Sequence, residues 1–153
     1  MPHDKSLARL DARFPSRRAL VTGGASGLDL AVAGTLAVRG WHLGLLDLDG
    51  GRLQEAAARL AGAGAGSVWT RAVDTRDEPA LRAAVDAFAA GRGGLDLAFN
   101  SAGVAVAGRF LETPAGDWDW VEAINLLGVA ASCRAELPHM VAAGAGTRPT
   151  ACR

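Results

Sequence analysis

The chain has 153 residues, the length of one domain with a single core. Half of them are hydrophobic and 16 Lys and Arg balance 16 Asp and Glu, so nothing marks disorder, an acidic tail or a polyanion-binding surface, and nucleic acid is not expected as a partner. No stretch approaches the roughly eighteen uninterrupted apolar residues of a membrane span, and MPHDKSLARLDARFPSRR lacks a signal peptide's apolar run, so the expectation is a cytoplasmic protein without a membrane partner, with Cys133 and Cys152 as free thiols.

Residues 1–16 are charged, contain Pro and show weak periodicity; they read as an extension ahead of the fold. The pattern changes at Arg18. ALV (19–21) leads into the Gly-rich TGGASG and then LDLAVAGTLAVRG, with apolar residues at helical spacing: strand, tight loop, helix. WHLGLLD (41–47) is a second strand and GGRLQEAAARLAG a second helix. SVWTRAVD (67–74) is a third strand, DEPALRAAVDAFAAG a third helix and LDLAFN (95–100) a fourth strand. Such alternation implies parallel strands joined by crossover helices, an α/β fold. Thr113 and Pro114 then supply an N-cap and a first-turn proline for one last helix through WDWVEAINLLGVAASCRAELPHM. After Met140 the pattern fails, because VAAGAGTRPTACR carries Gly, Pro and Arg where a buried strand needs an apolar run. AGAGAG (61–66) precedes a strand, not a helix, and reads as a connection rather than a phosphate loop.

A diphosphate needs backbone amides free of side-chain cover at a strand-to-helix turn, where the helix dipole favours negative charge. Thr22, Gly23, Gly24, Ala25, Ser26 and Gly27 supply such a turn, although Gly-rich turns also serve as plain structural loops. Asp47 closes the second strand, where a carboxylate can accept both ribose hydroxyls of an adenosine and repel a 2′-phosphate. With Leu48 next to it and no Arg or Lys in the glycine loop, NAD is expected over NADP; an Asp can also simply end a strand at a turn. His3, His42 and His139 are scattered and no metal-ligand spacing appears, so neither a catalytic histidine nor a metal site is expected. Trp118, Trp120 and Cys133 read as packing residues of the last helix.

Together these segments resemble the short-chain dehydrogenase/reductase family over about residues 17–147. TGGASGLD (22–29) resembles its glycine motif, which adds Leu28 to the cofactor-binding residues. NSAG (100–103) resembles the motif after its fourth strand, with Asn100, Ala102 and Gly103 at the cofactor. Asp74 matches the position that contacts adenine, and WDWVEAINLLGV (118–129) the segment that carries the catalytic Asn, here Asn125. The resemblance implies a Rossmann-type parallel sheet ordered 3-2-1-4 with flanking helices, an incomplete doubly wound fold. The NAD-binding domain would span 17–143 and an irregular tail 144–153. It also implies hydride transfer between a nicotinamide dinucleotide and an alcohol or ketone.

Two departures qualify that implication. The third glycine of the motif is replaced by Asp29. A carboxylate about 4 to 5 Å from a phosphate oxygen costs on the order of 3 to 4 kcal/mol at an effective dielectric near 20; the alternative is that Asp29 points into solvent and favours the helix N-terminus. In addition, the family's general acid/base Tyr has no counterpart in a chain without Tyr, Lys5 is the only lysine, and Thr150 stands where the family's Ser is expected. The likeness ends near Thr147, as a truncated or frame-shifted gene would. Three readings stay open: an oxidoreductase by descent that is inactive alone, a non-catalytic NAD-binding module, and a remnant. A fourth strand with an uncovered edge and a last helix short of an apolar partner predict self-association.

Overall fold

The computed structural model describes residues 2–144. Strands β1 (Arg18–Thr22), β2 (His42–Asp47), β3 (Ser67–Ala72) and β4 (Leu97–Asn100) form one sheet in the order β3-β2-β1-β4, with every neighbouring pair parallel. Helices α2 (Gly27–Ala37), α3 (Gly50–Gly62) and α4 (Glu78–Arg92) make the crossovers that parallel pairing requires. Local sequence sets their ends. Asp49 caps α3 by accepting from Arg52 N at 3.0 Å, and Asp77 caps α4 by accepting from Ala80 N at 3.0 Å. Gly93, in the left-handed region at φ 73°, closes α4.

The pleat divides the core in two. Ala19, Val21, Leu43 and Leu45 face α2 and α3, whereas Leu20 and Leu46 face α4 together with Ala131 and Ala135. Gly44 shares that second face. A Cβ there would lie 2.5 Å from Leu20 Cδ1 and 2.7 Å from Phe88 Cδ2, so its absence lets the Phe88 ring lie directly on the strand.

Residues 2–13, read from sequence as part of an extension, form helix α1 (Pro2–Arg13), which docks on the sheet domain. Leu10 and Phe14 pack on the first cluster, Phe14 edge-on to Trp41 with centroids 6.4 Å apart. Asp11 accepts from Trp41 Nε1 at 2.8 Å and Arg39 Nε at 2.7 Å. One polar and two apolar side chains, Asp11, Leu10 and Phe14, suffice to seat the helix, too few to print a long periodic pattern.

The last helical segment also departs from expectation. Thr113 is not its N-cap: its hydroxyl donates to Arg109 O at 3.0 Å, and Pro114 flanks helix α5 (Ala115–Glu122) without a side-chain cap. The helix then widens into a π-helical stretch (Ala123–Gly128) before α6 (Val129–Ala142). Gly128 lies in that stretch against the loop after β3, where a Cβ would come 2.9 Å from Thr75 Oγ1. Trp118 and Trp120, expected as packing residues, are half exposed, and Trp118 instead leans on Phe110 at 5.5 Å. No described helix is long and apolar enough to cross a membrane. The expected irregular end, Thr150 and Cys152 lie outside the described residues, apart from Gly144, as do the side chains of His3 and Lys5.

Candidate functional site

At the C-terminal ends of the strands the chain turns from β1 into α2 through the glycine motif. Gly23 has φ 73°, and a Cβ on it would stand 3.1 Å from Ala102 Cα and 3.1 Å from Asp29 Oδ2; conformation and close approach both demand glycine. Gly27, at φ 57°, has nothing within 4 Å of a Cβ position, leaving that backbone bare. Ser26 is the N-cap residue but makes no side-chain cap bond to the first-turn amides of α2. Ser26, Gly27 and Leu28 are exposed on this turn.

Two polar side chains hold the turn to its neighbours, and a third clasps the segment after β4. The buried Thr22 Oγ1 accepts from Ser101 N at 3.2 Å and Ala102 N at 3.3 Å, pinning the segment after β4 to β1. Asp47 Oδ2 accepts from Ala25 N at 3.1 Å and Oδ1 from Asp49 N at 3.1 Å, tying the end of β2 to the glycine turn. Asn125 is bound twice by one residue: its Oδ1 accepts from Val104 N and its Nδ2 donates to Val104 O, both at 2.8 Å. A Cβ on Gly103 would sit 3.3 Å from Asn125 Oδ1, so the glycine makes room for that clasp.

A cavity of about 220 Å³ opens between these parts, lined among others by Gly23, Asp47, Asp74, Arg76, Gly103 and Trp120. Of the residues singled out from sequence, Gly23, Asp47, Asp74, Ala102 and Gly103 line it together; Thr22, Asn100 and Asn125 do not, and brace its walls. Arg76, Trp120 and Ile124 belong to the lining and were not anticipated as such. Arg76 had a signal, an Asp-x-Arg after a strand: its Nε lies 3.0 Å from both Asp74 oxygens, and its guanidinium holds the Asp74 carboxyl below the usual range. Among the described residues no group of three or more His, Cys, Asp and Glu side chains could hold a metal ion. His42 and His139 stand apart, beside Ser67 and Asp86.

Asp29 does not point into solvent. Its Oδ2 stands over Gly23 and its Oδ1 is buried without a hydrogen-bond partner. Burial pushes the Asp29 carboxyl up from its ordinary value, the Asp47 charge adds to this, and the Ser101 hydroxyl and the residue's own N–H act the other way.

Glu136 of α6 was also not anticipated. It is 2% exposed, accepts from Asn100 Nδ2 at 2.6 Å through Oε2, and leaves Oε1 buried and unpaired. Burial raises its pKa to about 7 against the opposing Asn100 bond. Helical spacing placed it four residues after the buried Ser132, on the inner face.

A four-stranded parallel sheet ordered 3-2-1-4, with a glycine turn after its first strand, is a Rossmann-type α/β fold. The short chain dehydrogenase family model matches residues 17–147, and the chain belongs to that family. It is 39% identical over 136 residues to D-threitol dehydrogenase of Mycolicibacterium smegmatis, covering 89% of this chain and 52% of that protein. To 2-(R)-hydroxypropyl-CoM dehydrogenase of Xanthobacter autotrophicus it is 39% identical over 134 residues, covering 86% and 54%. The solved structure of an NAD+-bound xylitol dehydrogenase superposes with a TM-score of 0.80 at 29% identity, covering 84% of this chain and 49% of that one. Carveol dehydrogenase from Mycobacterium avium in complex with NAD gives a TM-score of 0.79 at 28% identity, covering 84% and 50%. The chain thus spans about half the length of these relatives.

Proposed function

We propose that this chain is the nucleotide-binding portion of an NAD-dependent oxidoreductase acting on an alcohol or ketone, and that by itself it binds the dinucleotide without turnover. The observation that carries the reading is the single cavity that gathers Gly23, Asp47, Asp74 and Gly103 at the strand ends. Its residues fit an adenosine. Asp47 accepts from ribose hydroxyls and repels a 2′-phosphate, favouring NAD over NADP, and Asp74 accepts from the adenine amino group. The bare Gly27 backbone and the uncapped first turn of α2 suit a diphosphate. Bound NAD supplies a hydride acceptor. Asn125, clasped on Val104, acts by positioning the loop that closes the cavity.

Proton exchange with an alcohol needs a group that can take the proton, and these 153 residues contain no Tyr and a single Lys, Lys5, in α1. Titration with NADH, followed by Trp quenching, tests the reading, since Trp120 lines the cavity. Saturable quenching with no NADH formation from NAD and a panel of secondary alcohols is expected. No binding by the chain or by Asp29→Gly would leave a remnant as the correct reading; turnover would overturn the inactivity.

Self-association through β4 and the last helix is part of the same proposal. Leu126, Leu127 and Val141 are more than half exposed, and among the described residues β4 pairs on one side only. Sedimentation velocity at rising concentration should show dimers or larger species; a monomer throughout would refute it.

A further inference from the structure

The positive end of α2 already has an anion beside it. The Asp29 carboxylate folds back over the glycine turn, with Oδ2 at 3.1 Å from the Gly23 Cβ position, and its own N–H and the Ser101 hydroxyl are the polar groups that favour its charged form. A diphosphate lying on the same turn must use that space and those amides. Two anions cannot share them: at close range in a half-buried setting each charge raises the cost of the other.

We propose that Asp29 is a built-in competitor of the dinucleotide diphosphate, so that binding requires Asp29 to be protonated and takes up one proton from solvent. The proposal rests on the nucleotide reading above and adds a ligand preference. Adenosine, which needs Asp47 and Asp74 but no diphosphate seat, is bound without proton uptake, and the chain discriminates against dinucleotides as pH rises.

The surroundings of Asp29 favour the neutral form. The groups acting on it are the Asp47 carboxylate from the end of β2, the Ser101 hydroxyl from the segment after β4, and its own backbone N–H; no basic side chain is among them. Asp74, the other carboxylate of the cavity, is neutralised by Arg76. Oδ1, buried and unpaired, is the oxygen on which a proton removes an uncompensated charge. The protonated carboxyl keeps a donor that can point at a phosphate oxygen.

The test is a binding titration with NADH and, separately, adenosine from pH 5.5 to 8, using the full chain, Asp29→Gly and Asp29→Asn. For the unaltered chain the NADH Kd should rise by up to tenfold per pH unit above the Asp29 pKa, the limit for one linked proton. Both variants should bind NADH more tightly at pH 8 and lose that slope, while adenosine binding should be equally pH-independent in all three. Referring each slope to that of Asp29→Gly cancels Glu136, whose carboxyl titrates at about 7, inside the pH interval of the experiment. An NADH slope unchanged in both variants, or an adenosine slope equal to that of NADH, would overturn the competitor role while leaving the nucleotide site standing. Absence of NADH and adenosine binding by all three proteins would instead overturn the nucleotide reading, and this one with it.

Discussion

The two ends of β4 bury charge in opposite ways. Asp96, just before the strand, meets Arg18 at the start of β1: Nε to Oδ2 is 2.9 Å, Nη2 to Oδ1 is 2.8 Å, and the Arg18 N–H adds a third bond to Oδ2 at 2.9 Å. The same guanidinium donates to Gly93 O, closing the end of α4 onto the sheet. At the other end Asn100, the last residue of β4, offers Glu136 one hydrogen bond and leaves an oxygen unpaired. The first end is a completed clasp far from the cavity; the second lies beneath the segment that lines it. Unsatisfied charge is concentrated where ligands would bind, as in sites that give up stability for function.

The strongest way to break that contrast is to remove Arg18 alone. Arg18→Met strands a buried Asp96 carboxylate, and urea unfolding should show a loss of about 3 to 5 kcal/mol, the usual cost of an orphaned buried partner. Adding Asp96→Leu should recover much of it. A loss below about 1 kcal/mol in the single variant would mean the clasp is open in solution.

Next in size is Glu136→Gln, which sharpens the contrast by acting at the other end with the opposite sign. The carboxyl titrates near 7 in the fold and near 4.5 when unfolded. Between those values the folded protein holds a proton that the unfolded chain has lost, so stability falls as pH rises through the window. At pH 8 the charge costs on the order of 3 kcal/mol. Glu136→Gln should therefore stabilise the protein by about that much at pH 8 and leave it unchanged below pH 4.5. Equal gains at both pH values would show that packing, not ionisation, is responsible.

These two ends also show what a sequence can and cannot declare. The apolar runs of β1 and β2, the glycine turn and Asp47 were readable because each is a local pattern with a local cause: burial on both faces of the strand, a left-handed backbone at Gly23, a carboxylate at a strand end. The order of the strands came through family resemblance, as did the expectation that Asp74 and Asn100 lie at the cofactor, since spacing alone does not say which strand lies next to which. Glu136 and Asn100 are far apart in the chain and meet only because α6 lies under β4, so nothing local marked the pair. Asp29 was visible as a departure from the motif, but not the direction of its side chain, which depends on where Ser101 comes to rest. Helix α1 went unrecognised because its docking relies on Asp11 reaching a tryptophan thirty residues on.

That contact supplies the smallest expected effect, and its pH dependence runs against that of Glu136. Trp41 is fully buried and Asp11 is the acceptor of its indole N–H. The hydrogen bond from Arg39 is the main influence holding the Asp11 carboxyl below its ordinary value. Asp11→Ala leaves the indole donor unpaired and should cost about 1 to 3 kcal/mol, the desolvation cost of a buried group without its partner. Asp11→Asn keeps an acceptor and should cost less. Because the folded carboxyl is the stronger acid, its contribution is complete above the ordinary Asp value and disappears as pH falls through the folded one. The difference between the Asp11 chain and Asp11→Asn should thus close on acidification, where that between Glu136 and Glu136→Gln also closes but from the opposite sign. If both variants destabilised the chain equally from pH 3 to pH 8, the charge of Asp11 would be irrelevant to the docking of α1.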